Sequence, residues 1–241
     1  PAAGQGRTVE PAARPRQFVN PVPARLLVIT DRHQAGKPLA ETVADCLAGG
    51  ARWILFRDKD LPPADRRELA RRVAAAVRSV PGARLSVSGD PALAEEVEAD
   101  GVHVQSLTAI AEARKRLRPR CVIGFSAHRP EEVRAAGEAG ADYVTLSPVF
   151  VTASKPGYGP ALGTAAIAEA SRSDVQVLAL GGVTPATAGS CFTAGAAGVA
   201  VMGEAMRAAD PVIAIRALLA SFGREGGDAG AAARAEGGAR A

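Results

Sequence analysis

The residues best equipped for chemistry fall into a few short groups. Arg57 and Lys59 stand two apart in Phe56-Arg57-Asp58-Lys59. At that spacing in an extended segment both side chains leave on one side, a pairing that suits an anionic substrate; a salt bridge to Asp58 or Asp60 is the plainer alternative. Gly181-Gly182 and Met202-Gly203 leave backbone N–H groups uncovered, and such amides at the start of a helical segment cradle a phosphate. Two turn glycines would look the same. His128 has a side chain that both takes and returns a proton near neutral pH; the competing role is a residue at a helix start bonding backbone. His103 faces the same choice and reads more as part of a wall, while His33, in a polar stretch, reads as surface. Ser88, Gln105 and Ser126 add neutral polar groups for a substrate. Thr152, Ser154 and Lys155 lie in a long loop with Pro156, Gly157, Gly159, Pro160 and Gly163. There they suit a second anionic group, and a loop of that length in a compact domain is more often a lid than a bare connection. Asp90, just before Pro91, reads first as a helix N-cap and second as a metal ligand or base.

All these groups sit at the ends of short β-rich runs. The runs read as eight strands, Leu26 to Thr30, Trp53 to Arg57, Leu85 to Ser88, Gly101 to Val104, Val122 to Ser126, Tyr143 to Leu146, Val175 to Leu180 and Gly198 to Met202. Each is followed by a segment of helical period: Ala40 to Leu47, Pro63 to Ser79, Pro91 to Val97, Thr108 to Leu117, Pro130 to Ala139, Thr164 to Ser171, Pro185 to Ala194 and Asp210 to Phe222. Pro62, Pro91, Pro130, Pro185 and Pro211 stand near the helix starts, where a missing N–H costs nothing. Gly49, Gly140 and Gly195 stand where a helix ends before the next strand, the left-handed position glycine fills without a clash. The phrases Ala48-Gly-Gly-Ala, Glu138-Ala-Gly-Ala-Asp and Thr193-Ala-Gly-Ala-Ala repeat that turn. Eight such βα units predict a single-domain (β/α)8 TIM barrel over residues 24–222, with its site at the C-terminal ends of the strands. In that fold the loops after strands seven and eight usually hold phosphate, which favours the cradle over turn glycines at Gly181, Gly182 and Gly203. A doubly wound open sheet is the rival architecture and more usually has fewer strands.

Composition narrows the class further. The chain has 241 residues, 47% of them hydrophobic and 22% charged, enough for a large buried core. The net charge is +4, of which the first 23 residues carry +2, so the body has little basic excess; with only 4% aromatic residues, nucleic-acid binding has little support. No apolar run reaches about 18 residues, so no membrane span is expected. Cys46, Cys121 and Cys191 are far apart, without a CxxC pair, and each lies in or beside an apolar segment. They read as buried small hydrophobes of a reducing, cytoplasmic compartment rather than as a disulfide framework or a zinc site. Residues 1–23 and 223–241 read as disordered tails of low complexity.

Several segments together resemble the thiamine phosphate synthase and TenI family. Arg57-Asp58-Lys59 resembles its Arg-Glu-Lys, Gly124-Phe-Ser-Ala-His128 its Gly-x-Ser-x-His, and Pro148-Val-Phe-Val-Thr152-Ala-Ser154-Lys155 its Pro-Val-Phe-x-Thr-x-Thr-Lys loop. Ala179-Leu-Gly181-Gly182-Val-Thr184-Pro185 and Gly198-Val-Ala-Val-Met202 resemble its two phosphate strands. The likeness runs from about Leu26 to Leu219 and implies a barrel enzyme of thiamine biosynthesis that acts on a thiazole phosphate, with His128 at the position of the family's catalytic histidine.

The departures from the family pattern bear on which member this is. In the synthase, Mg²⁺ and a pyrimidine pyrophosphate are held by an Asn-Asp-Asp run and a Gln-Glu-Asp run. Here those runs read Ser88-Gly89-Asp90 and Ser106-Leu107-Thr108, and Leu55 stands in place of a glutamine. This is the pattern of a TenI-type thiazole tautomerase, which implies no cofactor and no metal, with His128 moving a proton as a carboxythiazole phosphate becomes aromatic. Arg57, Lys59 or Lys155 would meet the carboxylate. The alternative is the Mg²⁺-dependent synthase, which joins hydroxymethylpyrimidine pyrophosphate to thiazole phosphate, and a third reading is a non-catalytic regulator. The expected partner in the first two is a small molecule, and a homo-oligomer is left open.

Overall fold

The computed structural model describes residues 20–152 and 160–222. Eight parallel strands close in chain order: β1 (Leu26–Ile29), β2 (Trp53–Phe56), β3 (Arg84–Ser88), β4 (Gly101–Val104), β5 (Val122–Ala127), β6 (Tyr143–Leu146), β7 (Gln176–Leu180) and β8 (Gly198–Val201), the last pairing back onto β1. Around them run α1 (Leu39–Ala48), α2 (Pro63–Arg78), α3 (Pro91–Glu96), α4 (Leu107–Arg116), α5 (Pro130–Glu138), α6 (Gly163–Ala170), α7 (Ala188–Thr193), the single turn α8 (Gly203–Met206) and α9 (Pro211–Ser221). This is the (β/α)8 TIM barrel expected from the sequence, in a single domain.

Every strand bound lies within one residue of its sequence expectation. Helix starts follow the expected chemistry: prolines open α2, α3, α5 and α9, and Asp90 and Asp210 cap α3 and α9 by accepting from Leu93 N at 2.9 Å and Val212 N at 2.9 Å. Two expectations need correcting. Helix α7 begins at Ala188 rather than Pro185, because Thr187 Oγ1 accepts from Thr184 N and ties residues 184–187 into a turn. Gly140 and Gly195 are left-handed as expected, but after α1 the left-handed residue is Gly50, with φ 109°, and Gly49 is helical. Gly49 is needed for another reason: a Cβ there would stand 2.8 Å from Ile215 Cβ, where α9 packs against α1.

The pleat sorts each strand into two faces. Outward residues such as Val28, Ile54, Val87, Val102 and Ile123 join the helices in the main core, and inward residues form a second cluster that includes Leu27, Trp53, Leu55, Tyr143 and Leu178. The inward set also carries polar groups. Trp53 Nε1 donates to Ser86 Oγ at 3.0 Å, and His103 Nδ1 lies 3.1 Å from Tyr143 Oη. Gly124 makes room for the latter pair, since a Cβ there would overlap the Tyr143 ring and His103 Nδ1.

The N-terminal end of the barrel is closed by residues read above as part of a tail. Asn20 Nδ2 donates to Asp142 Oδ1 at 3.1 Å, and Gln176, buried at the start of β7, accepts from Val22 N at 3.1 Å and donates to Asn20 O at 3.0 Å. The remaining tail residues, 1–19 and 223–241, lie outside the described residues. Cys46, Cys121 and Cys191 are free thiols and buried, as expected. Among the described residues no helix is long and apolar enough to cross a membrane.

Candidate active site

A cavity of about 330 Å³ opens at the C-terminal ends of the strands. The inward parity of each strand, extended past its last residue, chooses what lines it. Arg57 follows β2 by this rule, Ser88 ends β3, Gln105 follows β4 two residues after His103, and Ser126 precedes the end of β5. His128 stands two residues further on. The opposite wall holds Gly181, Gly182, Met202 and Gly203, and Thr152 lies on the loop after β6. Ser154 and Lys155 lie outside the described residues. Lys59 is the one described candidate not on the cavity wall; it stands at the rim, where its Nζ donates to Gln105 Oε1 at 3.0 Å.

The plain alternative for Arg57 and Lys59 fails, because both neighbouring carboxylates are engaged elsewhere. Buried Asp58 accepts from Thr30 Oγ1 and Arg32 N, each at 2.7 Å. Asp60 accepts from both Arg32 Nη atoms, at 2.6 and 2.7 Å, and lies 2.8 Å from His33 Nε2. The hydrogen bonds to Arg32 and His33 hold the Asp60 carboxyl well below the usual range. His33 is exposed, as the sequence suggested. Thr30 Oγ1 in turn accepts from Arg57 N at 2.9 Å, so Asp58 fixes the backbone that carries Arg57.

The two histidines at the mouth differ. His103 is buried, with Nε2 2.9 Å from Ser126 Oγ. Burial, helped by the charge of Lys59, pushes its pKa down to about 3, so the ring is neutral and serves as a hydrogen-bonding post behind Ser126. His128 is half-buried on the wall, and its Nδ1 lies 2.8 Å from Ser147 O. A carbonyl only accepts, so Nδ1 carries a proton, and the tautomer this selects has its lone pair on Nε2.

Gly181 and Gly182 have φ of 93° and 66°. A Cβ on Gly181 would come 2.8 Å from Pro148 Cα, and one on Gly182 would overlap Val151 O. The pair therefore does lie in a turn, and it also lets the loop after β6 close against the cavity, with Phe150 N donating to Gly181 O at 2.9 Å. Sequence reasoning missed Thr145 and Arg207 on the wall and had Thr184 only as part of a phosphate-strand motif. The Arg207 guanidinium fills the space that a side chain on Gly203 would take, and it reaches Gln34 Oε1. The signal available was an arginine one helical turn after Gly203, on the same helix face.

A divalent ion does not suit the residues at the ends of β3 and β4. Asp90 Oδ1 accepts from Leu93 N at 2.9 Å and its Oδ2 accepts from Arg66 Nη1 at 2.9 Å, which makes it the N-cap expected first. Its neighbours on the wall, Ser88 and Gln105, are neutral, whereas Mg²⁺ is usually anchored by one or two carboxylates. Among the described residues no three His, Cys, Asp or Glu side chains are grouped as a metal would need.

The sequence model of thiamine monophosphate synthases matches residues 26–205, which span all eight strands and every residue lining this cavity except Arg207. The chain belongs to the thiamine monophosphate synthase and TenI family. Similar family members include the thiamine-phosphate synthase of Roseiflexus sp. (strain RS-1), 40% identical over 194 residues, covering 79% of this chain and 82% of that one. The bifunctional thiamine biosynthesis protein ThiM/ThiE of Symbiobacterium thermophilum is 42% identical over 187 residues, 77% of this chain and 39% of that longer protein. Among solved structures, the family's thiamine phosphate pyrophosphorylase from Pyrococcus furiosus superposes with a TM-score of 0.73 at 29% identity, covering 83% of this chain and 96% of that one. The first of these carries the name of the synthase, none carries that of a tautomerase, and the tautomerase preferred from the departures has no support among them.

Proposed function

We propose that the barrel is a thiamine-phosphate synthase. In this reaction the ring nitrogen of a thiazole phosphate attacks the methylene carbon of a hydroxymethylpyrimidine diphosphate. A C–N bond forms as the C–O bond to diphosphate breaks, and the products are thiamine phosphate and diphosphate. The reading is supported by 40% identity, over most of both chains, to a protein of that name. The observation that carries it in the geometry is a cavity with two regions suited to anions: Gly181, Gly182 and Gly203 beyond β7 and β8, and Arg57 beyond β2 with Lys59 at the rim beside the end of β4. The glycine end would take the thiazole phosphate on backbone amides, with Arg207 beside it. The cationic end would take the leaving diphosphate. His128, its ring held by Ser147 O, and Ser126, backed by the neutral ring of His103, would flank the reacting atoms.

One observation favours a second reading, the thiazole tautomerase: Asp90 is committed to a cap and an ion pair, and Leu55 lines the cavity where the family's glutamine would stand. One mixing experiment separates the two. Purified protein is given both synthase substrates, and separately the unconjugated carboxythiazole phosphate tautomer, and products are followed by chromatography. Thiamine phosphate in the first mixture is the expected result. Aromatisation of the tautomer with no thiamine phosphate would establish the tautomerase, and thiazole phosphate binding without turnover in either mixture would leave a regulator.

A further inference from the structure

We propose that the corner of the mouth formed by the ends of β2, β3 and β4 binds a diphosphate group through Lys59 and Arg57 directly, with no divalent cation between protein and ligand. The identity of the ligand rests on the synthase reading; the direct contact rests on the geometry of this corner. Gly89, just after β3, has a φ of 70°, and a Cβ built on it would lie 3.0 Å from Lys59 Nζ and 3.1 Å from Lys59 Cε. The ammonium thus occupies the space that a side chain at position 89 would enter. Gln105 holds it there from the end of β4, through the 3.0 Å hydrogen bond from Nζ to Oε1.

The charges around this ammonium are arranged for an anion. Asp90 Oδ2 accepts from Arg66 Nη1 at 2.9 Å, and Arg66 Nη2 also donates to Ser88 O at 2.8 Å, which pins that pair behind β3. Asp58 and Asp60 are turned toward Thr30, Arg32 and His33 on the loop after β1. Arg57 and Lys59 therefore face the mouth as two positive charges beside the neutral Ser88 and Gln105. Partial burial, and then the charges of Arg57 and Arg66, lower the Lys59 pKa, so an arriving anion relieves a repulsion already present. A divalent cation would add to that repulsion, and the nearby Asp90 carboxylate is already committed to Leu93 N and Arg66.

Inorganic pyrophosphate titrated calorimetrically into the full chain tests this, once in EDTA and once with Mg²⁺. Binding in EDTA, weakened at least about tenfold by Lys59→Met, is the expected result. Gly89→Asp should also weaken binding in EDTA by at least about tenfold, because the new side chain displaces the ammonium, and aspartate is among the L-residues that best tolerate this φ. Gln105→Leu, which keeps the backbone undisturbed, should weaken it through loss of the tether alone. Pyrophosphate binding that requires Mg²⁺, or that ignores Lys59→Met, overturns the proposal. Parallel transfer assays keep the two readings apart. Thiamine phosphate formed only when Mg²⁺ is present would remove the metal-free subsite and leave the synthase standing. Pyrophosphate bound as described, with no thiamine phosphate formed under either condition, would do the reverse.

Discussion

His128 Nδ1 lies 2.8 Å from the carbonyl oxygen of Ser147, the residue that follows β6, so one bond sets both the ring's orientation and its tautomer. This makes the two candidate reactions separable at one residue. Forming the C–N bond moves no proton, so His128→Asn is expected to slow the transfer by only about tenfold, the worth of one lost polar contact. Proton shuttling would instead lose about 10²- to 10⁴-fold. Steady-state kcat with both synthase substrates measures this, and a loss in the larger range would move the assignment to the tautomerase.

His103 makes acid stability a readout of the barrel interior. Unfolded, its imidazole takes a proton near 6.5; folded, only near about 3. Between those values the unfolded chain binds the extra proton, so this residue's contribution is complete above 6.5 and is lost as pH falls toward 3. The difference corresponds to up to about 5 kcal/mol. Urea unfolding at pH 7 and pH 4.5 should therefore show a steeper acid loss in the native chain than in His103→Gln, and equal slopes would refute the buried neutral ring.

Asp90 is expected to matter for folding and not for the reaction. Asp90→Ala should cost about 1–2 kcal/mol through loss of the α3 cap, and Asp90→Ser should recover most of it. Transfer activity per folded molecule should match the native chain in both variants. A selective loss of activity in Asp90→Ser, with stability restored, would return this carboxylate to the site.

Gly182 has little room to change. Its φ of 66° and the Val151 carbonyl beside it make Gly182→Ala expected to cost about 2 kcal/mol or more and to push the loop after β6 away from the cavity. Thermal unfolding and the affinity for thiazole phosphate should both fall, and retention of full affinity would show that this loop does not shape the phosphate end.

Much of this site was legible because a barrel strand has only one inward parity. Once Trp53, Gly101 and Tyr143 are placed on strands, Arg57, His103, Gln105 and Ser147 follow by counting in twos. The N-cap at Asp90 was legible because its partner, Leu93 N, is three residues away. What could not be read depends on contacts between distant segments. The capture of Asp60 by Arg32 and His33 spans 28 and 27 residues, and it decides whether Arg57 and Lys59 are paired or available to a ligand. The use of Asn20 and Val22 to seal the far end of the barrel spans more than 120 residues and leaves no periodic mark. Gly49 and Gly50 are adjacent and of one type, and only the approach of Ile215 separates their duties.

The single inward parity has an evolutionary corollary. Each strand offers its final inward side chain as a separate socket, with its fixings lower in the same strand. A change at Ser88, Gln105 or Met202 can retool the mouth while Trp53, Tyr143 and Leu178 beneath it keep the cylinder intact. A one-residue insertion inside a strand does the opposite, turning that strand's entire equipment toward the helices at once.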